Sequence, residues 1–461
     1  MISHRDLFWG YAAQGLNVGL GLIMLPFVLH YMSTVEVGLW FVFITLASLA
    51  QLLELGFQPT ISRNTAYIYA GAQKLSSFGL LEHERGELNV ALLSDLVAAS
   101  RWIYRYIAFF VAALLLVGGT LYISRLLTPA QDSTEVFAGW FTFVIGNIIN
   151  FYYGYLNALL QGRGDVTAAN KVIIASRSIQ ILVGAIMVAL GFGLLGLGVA
   201  SLLSTIVSRI LAVRYVYSRL NPEMNGLTES PDGGKNLAKI LWHNASRFGV
   251  VLLGVFLIWR ANILVASSVL GLEDAATYGM AIQIFFLLNT IATVPFNLSL
   301  PKMNGLRAQG KQKQVYRLFS TLLVTTLLIY LCSSLIVLFL GNYLLSAIGS
   351  STQLPDNLVL LGMVMIFMLE INHGTCANFI TTGNQIPFVR SSVLTGGCIV
   401  LCSILLAPTF GIAGLVISQG IVQIAYNNWK WPKEVGRMFN LSYLKIIKDG
   451  FAFFKIRMVG L

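Results

Sequence analysis

The chain is a succession of long apolar runs, most of about 20 residues or more, separated by polar connections. A helix rises about 1.5 Å per residue, so roughly 20 apolar residues cross the hydrocarbon core of a bilayer. Such runs, repeated along the chain, imply an all-α polytopic membrane protein. Composition points the same way: of 461 residues, 56% are hydrophobic and 11% charged, with a mean hydropathy of +0.76. Soluble domains carry about 25% charged residues. At one span plus one connection each, the length has room for about twelve transmembrane helices.

The predicted spans of the first half are 7–31, 35–57, 102–124, 137–160, 172–192 and 194–217. Those of the second half are 241–268, 275–298, 316–340, 358–380, 388–407 and 412–429. The polar start followed by a long apolar run, with no small-residue cleavage site, makes the first span a retained helix. A mixed stretch, 60–100, holds Arg63, Lys74, Glu82, Glu84, Arg85, Glu87 and Asp95 and is expected at the interface or in water. The sequence NPEMNGLTESPDGGKN, 221–236, reads as the clearest linker. The expected organisation is an N-terminal six-helix lobe (1–220), a cytoplasmic linker (221–239), a C-terminal six-helix lobe (240–429) and a basic amphipathic tail (430–461) on the membrane surface.

Basic residues set the orientation. With the N-terminus inside, Arg125 is the only Lys or Arg in an outside loop. The inside loops hold Arg63, Lys74, Arg85, Arg163, Lys235, Lys302, Arg307, Lys311, Lys313 and the tail cations. Both termini are therefore expected in the cytoplasm. The net charge of +11 then points to anionic lipid as a partner and away from nucleic acid.

The two halves read as copies. VEVGLWFVFITLASLAQ after helix 1 has the shape of EDAATYGMAIQIFFLLN after helix 7, FGLLGLGVAS (192–201) is echoed by FGIAGLVISQ (410–419), and Gly162 matches Gly383. An even number of helices per half makes the copies parallel, related by a pseudo-two-fold axis along the membrane normal.

Charge inside a span is costly, at about 2.5–3.5 kcal/mol on insertion scales, and marks a protein-facing or wet position. Arg260 stands near the middle of predicted helix 7, between FLI and ILV. Two readings are open for it: a cation facing a central cavity, or an ion pair with Glu370 or Glu54. Arg177 in helix 5 and Arg209 and Arg247 near cytoplasmic ends divide between cavity and interfacial roles. Helix 4 carries Asn147, Asn150, Gly154, Asn157 and Gln161 within an arc of about 80°, a polar face suited to a hydrated, sugar-compatible wall. Helix 6 repeats the pattern with Ser201, Ser204, Thr205 and Ser208, for which helix-to-helix adhesion is the competing reading. Gln14 and Asn17 on helix 1 and Gln283 on helix 8 are further cavity candidates, and Glu54 ends helix 2. Glu370 and His373, at i and i+3, could carry protons. Cys332, Cys376, Cys398 and Cys402 lie within apolar runs and outline neither a disulfide framework nor a metal site. No phosphate-binding loop of the GxxxxGK[ST] type is present, and no cofactor is expected. The driving energy must then come from an ion gradient, the membrane potential or the substrate gradient.

The opening FWGYAAQGLNVGLGLIMLPFVLHYMSTVEVGLWFVFITLASLAQLLELGF resembles the start of O-antigen and polysaccharide flippases, of the multidrug/oligosaccharidyl-lipid/polysaccharide exporter superfamily. LLQGRGD, the FGxxGL repeats and RANILVASSVLGLEDAATYG carry the likeness along the chain. The resemblance implies two six-helix lobes around a central cavity. It also implies an undecaprenyl-pyrophosphate-linked oligosaccharide as cargo, moved from the inner to the outer leaflet of the bacterial inner membrane, and work alongside polysaccharide polymerase machinery. Arg260, with Arg177 and Arg247, would hold the pyrophosphate; Glu370, His373 and Glu54 would couple transport to protons or sodium. Where family members often carry an acidic residue, Asn262 stands here, so no acidic coupling site carries over to helix 7. The competing readings are a multidrug or organic-cation antiporter of the same superfamily, whose cavity should be acidic, and a membrane glycan polymerase, which needs a large outside loop that this chain lacks.

Overall fold

The computed structural model describes residues 4–75, 87–129, 133–224, 233–383 and 387–459, and among them helix dominates. The chain forms two compact units, Met1–Leu253 and Gly254–Leu461. The division falls within a helix, beyond the expected linker, much of which (225–232) lies outside the described residues.

The first unit begins with α1 (His4–Tyr31) and α2 (Thr34–Gln51), the latter ending in a single 3-10 turn, Leu52–Glu54. Then follow α3 (Phe57–Tyr69) and α4 (Val90–Ala113), which continues through a π-helical turn, Leu114–Gly119, into α5 (Thr120–Leu126). The unit is completed by α6 (Ser133–Tyr152), α7 (Tyr155–Arg163), α8 (Val166–Ala189), α9 (Gly193–Met224) and the first part of α10 (Gly233–Trp259). The acidic turn after α1 is a capping box. Glu36 N–H donates to Ser33 Oγ at 3.3 Å, and Ser33 N–H donates to Glu36 Oε2 at 2.8 Å. A box of this kind closes two otherwise open donors and is worth about 1 kcal/mol.

α6 and α9 pack at the distance of small residues. A Cβ on Gly139 would stand 2.8 Å from the Leu194 carbonyl carbon, and one on Gly146 would stand 3.2 Å from Leu202 Cα. The hydroxyls of the serine stripe turn back onto their own helix, Ser204 to the Ser201 carbonyl at 2.9 Å and Ser208 to Thr205 at 2.8 Å. They are buried, so this stripe serves helix packing.

The second unit holds the rest of α10, then α11 (Ala261–Val269), α12 (Leu272–Ala308), α13 (Gln312–Ala347) and α14 (Asn357–Thr381). It continues with α15 (Val389–Phe410), α16 (Ile412–Ala425), α17 (Asn427–Phe439) and α18 (Tyr443–Val459). The FGxxGL repeats prove to be the α8–α9 and α15–α16 corners. Each turns through glycine in the left-handed region, Gly193 at φ +40° and Gly411 at φ +59°. The next motif glycine lies against the preceding helix: a Cβ on Gly196 would meet Met187, and one on Gly414 would meet Leu406.

Among the described residues, eight helices are long and apolar enough to cross a membrane, or ten when two bent pairs each count as one span. The two remaining predicted spans, the first and the last, are helical as α1 and α16. The protein is therefore an all-α, multi-pass membrane protein.

Four sequence expectations change. Predicted helices 4 and 7 are each broken, with a 41° bend between α6 and α7 and another between α10 and α11. The start of the mixed stretch after helix 2 does not lie in water: α3 buries Thr60, Ile61, Asn64, Thr65 and Ile68 and packs on α7, while 76–86, with Glu82, Glu84 and Arg85, lies outside the described residues. Helix 3 starts at Val90, its polar first turns buried, with Ser100 Oγ bonding the Leu96 carbonyl at 2.7 Å. The basic tail is not a separate surface segment. α17 and α18 close the aromatic core of the second unit, where Phe319, Phe379, Trp431, Val435 and Ile446 are buried together.

Candidate functional site

Polar groups inside the spans gather at the helix breaks. In the first unit the α6–α7 break interrupts the regular ladder: the Gly154 N–H turns to the Phe151 carbonyl at 3.0 Å and the Leu156 N–H to the Tyr153 carbonyl at 3.2 Å. Arg209 of α9 adds a side-chain donor at this break. Its guanidinium donates to the Tyr153 carbonyl at 3.3 Å and to Asn150 Oδ1, while its Nε is buried without a partner. Only 8% of Arg209 is exposed, so the interfacial reading is corrected: the side chain turns into the bundle. Beside it the Tyr104 hydroxyl donates to Glu54 Oε1 at 2.5 Å, and Glu54 and Arg209 are close enough for their charges to attract. Glu54 reaches this place because the chain reverses just after it, with Leu55 at φ +49° and Gly56 at φ +78°.

The bend also dissolves the single polar wall expected on helix 4. Asn147 Nδ2 donates to the Phe143 carbonyl of its own helix at 2.9 Å, and Asn150 is engaged by Arg209. Asn157 Oδ1 is buried without a partner, and Gln161 is exposed. On α8, Arg177 donates to Gln180 Oε1 at 2.9 Å. The side chains of Gln14, Asn17 and Arg247 lie outside the described part.

In the second unit Arg260 is the residue at the α10–α11 break, with φ −121° and ψ −35°. The guanidinium carbon stands 5.5 Å from the centre of the Phe286 ring. Trp259 closes the aromatic group, 6.0 Å from Phe286 and 5.2 Å from Phe367 between ring centres. Among the described residues no ion pair joins Arg260 to Glu370. Glu370 is only 4% exposed, and amides hold its carboxylate: Gln419 Nε2 at 2.6 Å and Gln423 Nε2 at 3.1 Å, both on Oε1. The chain of bonds runs on from Asn427 Nδ2 to Gln423 Oε1 at 2.8 Å and from Trp431 Nε1 to Asn427 Oδ1 at 3.0 Å. Oε2 receives no bond among the described residues, which leaves it as the oxygen to carry a proton or meet a cation. His373 does not join Glu370. Its Nδ1 contacts Asn428 Oδ1 at 2.7 Å. Gln283 is half-buried on α12. Asn262, the departure from the family pattern, is 1% exposed, and its Oδ1 has no partner.

Sequence reasoning missed Gln419, Gln423 and Asn427. Their i, i+4, i+8 spacing puts them on one helix face and was the available signal.

Comparison with known structures bears on this arrangement. The lipid II flippase MurJ, in an inward closed conformation, superimposes with a TM-score of 0.66 at 11% identity, covering 99% of this chain and 93% of that one. An inward-facing multidrug resistance MATE family transporter of the MOP superfamily gives a TM-score of 0.64 at 13% identity, over 94% of this chain and 96% of the other. An outward-facing MATE transporter gives 0.51 at 17% identity, over 96% and 94%. The chain has the fold of these transporters. At the level of sequence, no family model matches it, and no curated protein does. The likeness is one of fold. The proteins that share it here are transporters and a flippase, in inward- and outward-facing forms.

Proposed function

We propose that this chain is a flippase, not an enzyme, that carries an oligosaccharide on undecaprenyl pyrophosphate from the inner to the outer leaflet of a bacterial inner membrane by alternating access. The observation that carries the proposal is Arg260: an arginine at a helix break inside an apolar run, stacked on an aromatic ring and bonded to no carboxylate among the described residues. The nature of the cargo rests on the resemblance of the sequence, and the fold shared with a lipid II flippase supports it. Arginine suits a pyrophosphate because its planar fork binds two phosphate oxygens at once and stays charged when desolvated. The N-terminal end of α11, which starts at the next residue, adds open backbone N–H groups and the positive end of a helix dipole. Arg177 and Arg247 are assigned the same anion. Asn157, with its unbonded Oδ1, and Gln283 are assigned to the sugars, together with Gln14 and Asn17. A broken span near the bilayer midplane is the usual way for membrane helices to present such groups.

An organic-cation antiporter is the second reading. The likeness to MATE transporters and the buried carboxylates Glu54 and Glu370 favour it. Purified protein in proteoliposomes separates the two. Translocation of a fluorescent polyprenyl-pyrophosphate oligosaccharide, with no uptake of organic cations against a proton or sodium gradient, is the expected result; the reverse pattern overturns the flippase reading.

Coupling is assigned to Glu370, with His373 and Glu54 as further candidates. If Glu370 Oε2 takes up the coupling proton, Glu370→Gln flattens the pH dependence of transport while the protein still inserts. A pH profile identical to that of the parent chain removes Glu370 from the coupling step. The same test on His373→Ala asks whether the ring takes part or only holds Asn428.

The orientation follows from the loop charges. Reporter fusions at Gly226 and at the C-terminus are expected to report cytoplasm and one at Asp132 the outside. An outside signal at Gly226 would reverse the assignment.

A further inference from the structure

Glu370 stands at one end of a row of side-chain hydrogen bonds whose sense is fixed from the other end. The row takes every fourth residue: Gln419, Gln423, Asn427 and Trp431. None of the four is more than 4% exposed. The row also crosses a break. Gln423 lies in the last turn of α16, Tyr426 turns the chain at φ −139° and ψ −67°, and Asn427 opens α17. Asn427 spans that joint, donating to Gln423 Oε1 at 2.8 Å and accepting from Trp431 Nε1 at 3.0 Å.

The direction of the row is not free. An indole N–H only donates, so Asn427 must turn its oxygen to Trp431. Its amide nitrogen then faces the Gln423 oxygen, and the Gln423 nitrogen is left to donate to Glu370 Oε1 at 3.1 Å. Thr395 on α15 also accepts from Asn427, at 3.2 Å, but a hydroxyl can donate or accept and so sets no direction. The indole is held in place by the Phe388 and Tyr426 rings, 5.9 and 6.2 Å away between centres. Gln419 adds a second N–H on Oε1 at 2.6 Å. Bonds of this kind to a charged carboxylate are about twice as strong as bonds to a neutral group. A proton on Oε1 would meet the Gln423 N–H, which the indole keeps from turning round.

We propose that Trp431, Asn427 and Gln423 are positioning residues for Glu370: acting one through the next, they hold Oε1 as an acceptor and direct the exchangeable proton to Oε2. For its effect on transport this rests on the assignment of coupling to Glu370. The titratable groups that face Glu370 are the phenols of Tyr278 from α12 and Tyr330 from α13, near enough to feel its charge. α16 presents its two glutamines, and α17 acts through Asn427. On its own helix, His373 is turned to Asn428.

The distance of Trp431 from the carboxylate, three links away, supplies the test. Trp431→Phe keeps a ring in the aromatic group and removes the donor that fixes the row, so the row can reverse around a protonated Glu370. Gln423→Met removes the link that touches the carboxylate. The first stabilises the neutral form and the second weakens the charged one, so both move the protonation midpoint to higher pH. The expected shift is about one pH unit, or tenfold in proton affinity, for Gln423→Met, and smaller with the same sign for Trp431→Phe. One readout is the infrared band of the protonated carboxyl in the purified full chain, identified as the band that Glu370→Gln removes. The other is the pH profile of transport in proteoliposomes. Val435→Ala, in the same helix and core, is the structural control: a lower melting temperature with an unmoved midpoint is expected. A parental midpoint in both row variants, or an equal shift in Val435→Ala, overturns the proposal. So does the lack of any band that depends on Glu370, since there is then no proton to direct. If the band shifts in both row variants while the transport profile stays put, the row stands and the coupling assignment of Glu370 fails.

Discussion

Arg260→Ala is expected to abolish transport while leaving protein levels in the membrane close to those of the parent chain. Each charge-assisted hydrogen bond to a phosphate is worth about 1.5–3 kcal/mol. A lost bidentate contact therefore amounts to roughly 3–6 kcal/mol, or about 10²–10⁴-fold in apparent affinity. The fold should survive, because among the described residues Arg260 leaves no ion-pair partner behind: Glu370 is held by Gln419 and Gln423. What is lost is the stacking on Phe286, worth about 1 kcal/mol. Arg260→Lys keeps the charge and loses the fork, so partial activity is expected. The measurement is flipping in proteoliposomes with membrane levels taken alongside, on the single variants and on Arg260→Ala with Glu370→Gln. Recovery of transport in the double variant would replace the pyrophosphate role with an ion pair formed in another state of the cycle.

Arg209→Ala should do the opposite, lowering protein levels and melting temperature before any question of transport arises. The truncation removes the donor to the Tyr153 carbonyl and to Asn150 at the α6–α7 break, and strips Glu54 of its nearby cation. Removing one member of a buried charged network costs about 3–5 kcal/mol, a large share of the stability of any domain. Glu54→Gln alone should be mild, since a glutamine oxygen still accepts from Tyr104. Combined with Arg209→Ala it should recover part of the loss, because the unpaired carboxylate is gone. Thermal melting of the purified variants reads this directly. An Arg209→Ala protein with parental melting would mean that the break needs no capping side chain.

Hydropathy made the helices legible, and the FGxxGL repeats announced the two matching glycine corners. The breaks were not legible. Tyr152 to Tyr155 and Arg260 stand inside apolar runs with no proline to announce a break; at the first of them Gly154 lies against the Tyr104 ring. That is why the amides of helix 4 were expected to share a face: the arc assumes a constant 100° per residue, which a break resets. Arg209 was read by its depth near a span end, but depth does not say which way a long side chain turns. Glu370 was legible as a buried carboxylate, whereas its separation from His373 was not, because i and i+3 share a helix face without having to touch. The tail was legible as a basic amphipathic segment, but not what its apolar face meets: Trp431, Val435 and Ile446 dock it into the core of the second unit.

The bend at Arg260 sets a length scale. α11 has 9 residues and stands at 41° to the helix before it. At about 1.5 Å per residue its span is roughly 13 Å, so straightening the joint would sweep its far end through about 9 Å. That is close to the spacing of packed helices, roughly 8–10 Å. A rotation confined to one residue thus exchanges neighbours at one end of a lever while the guanidinium at its pivot hardly moves. If Arg260 holds the proposed pyrophosphate, a cation at this fulcrum would keep its anion while the walls around it change places.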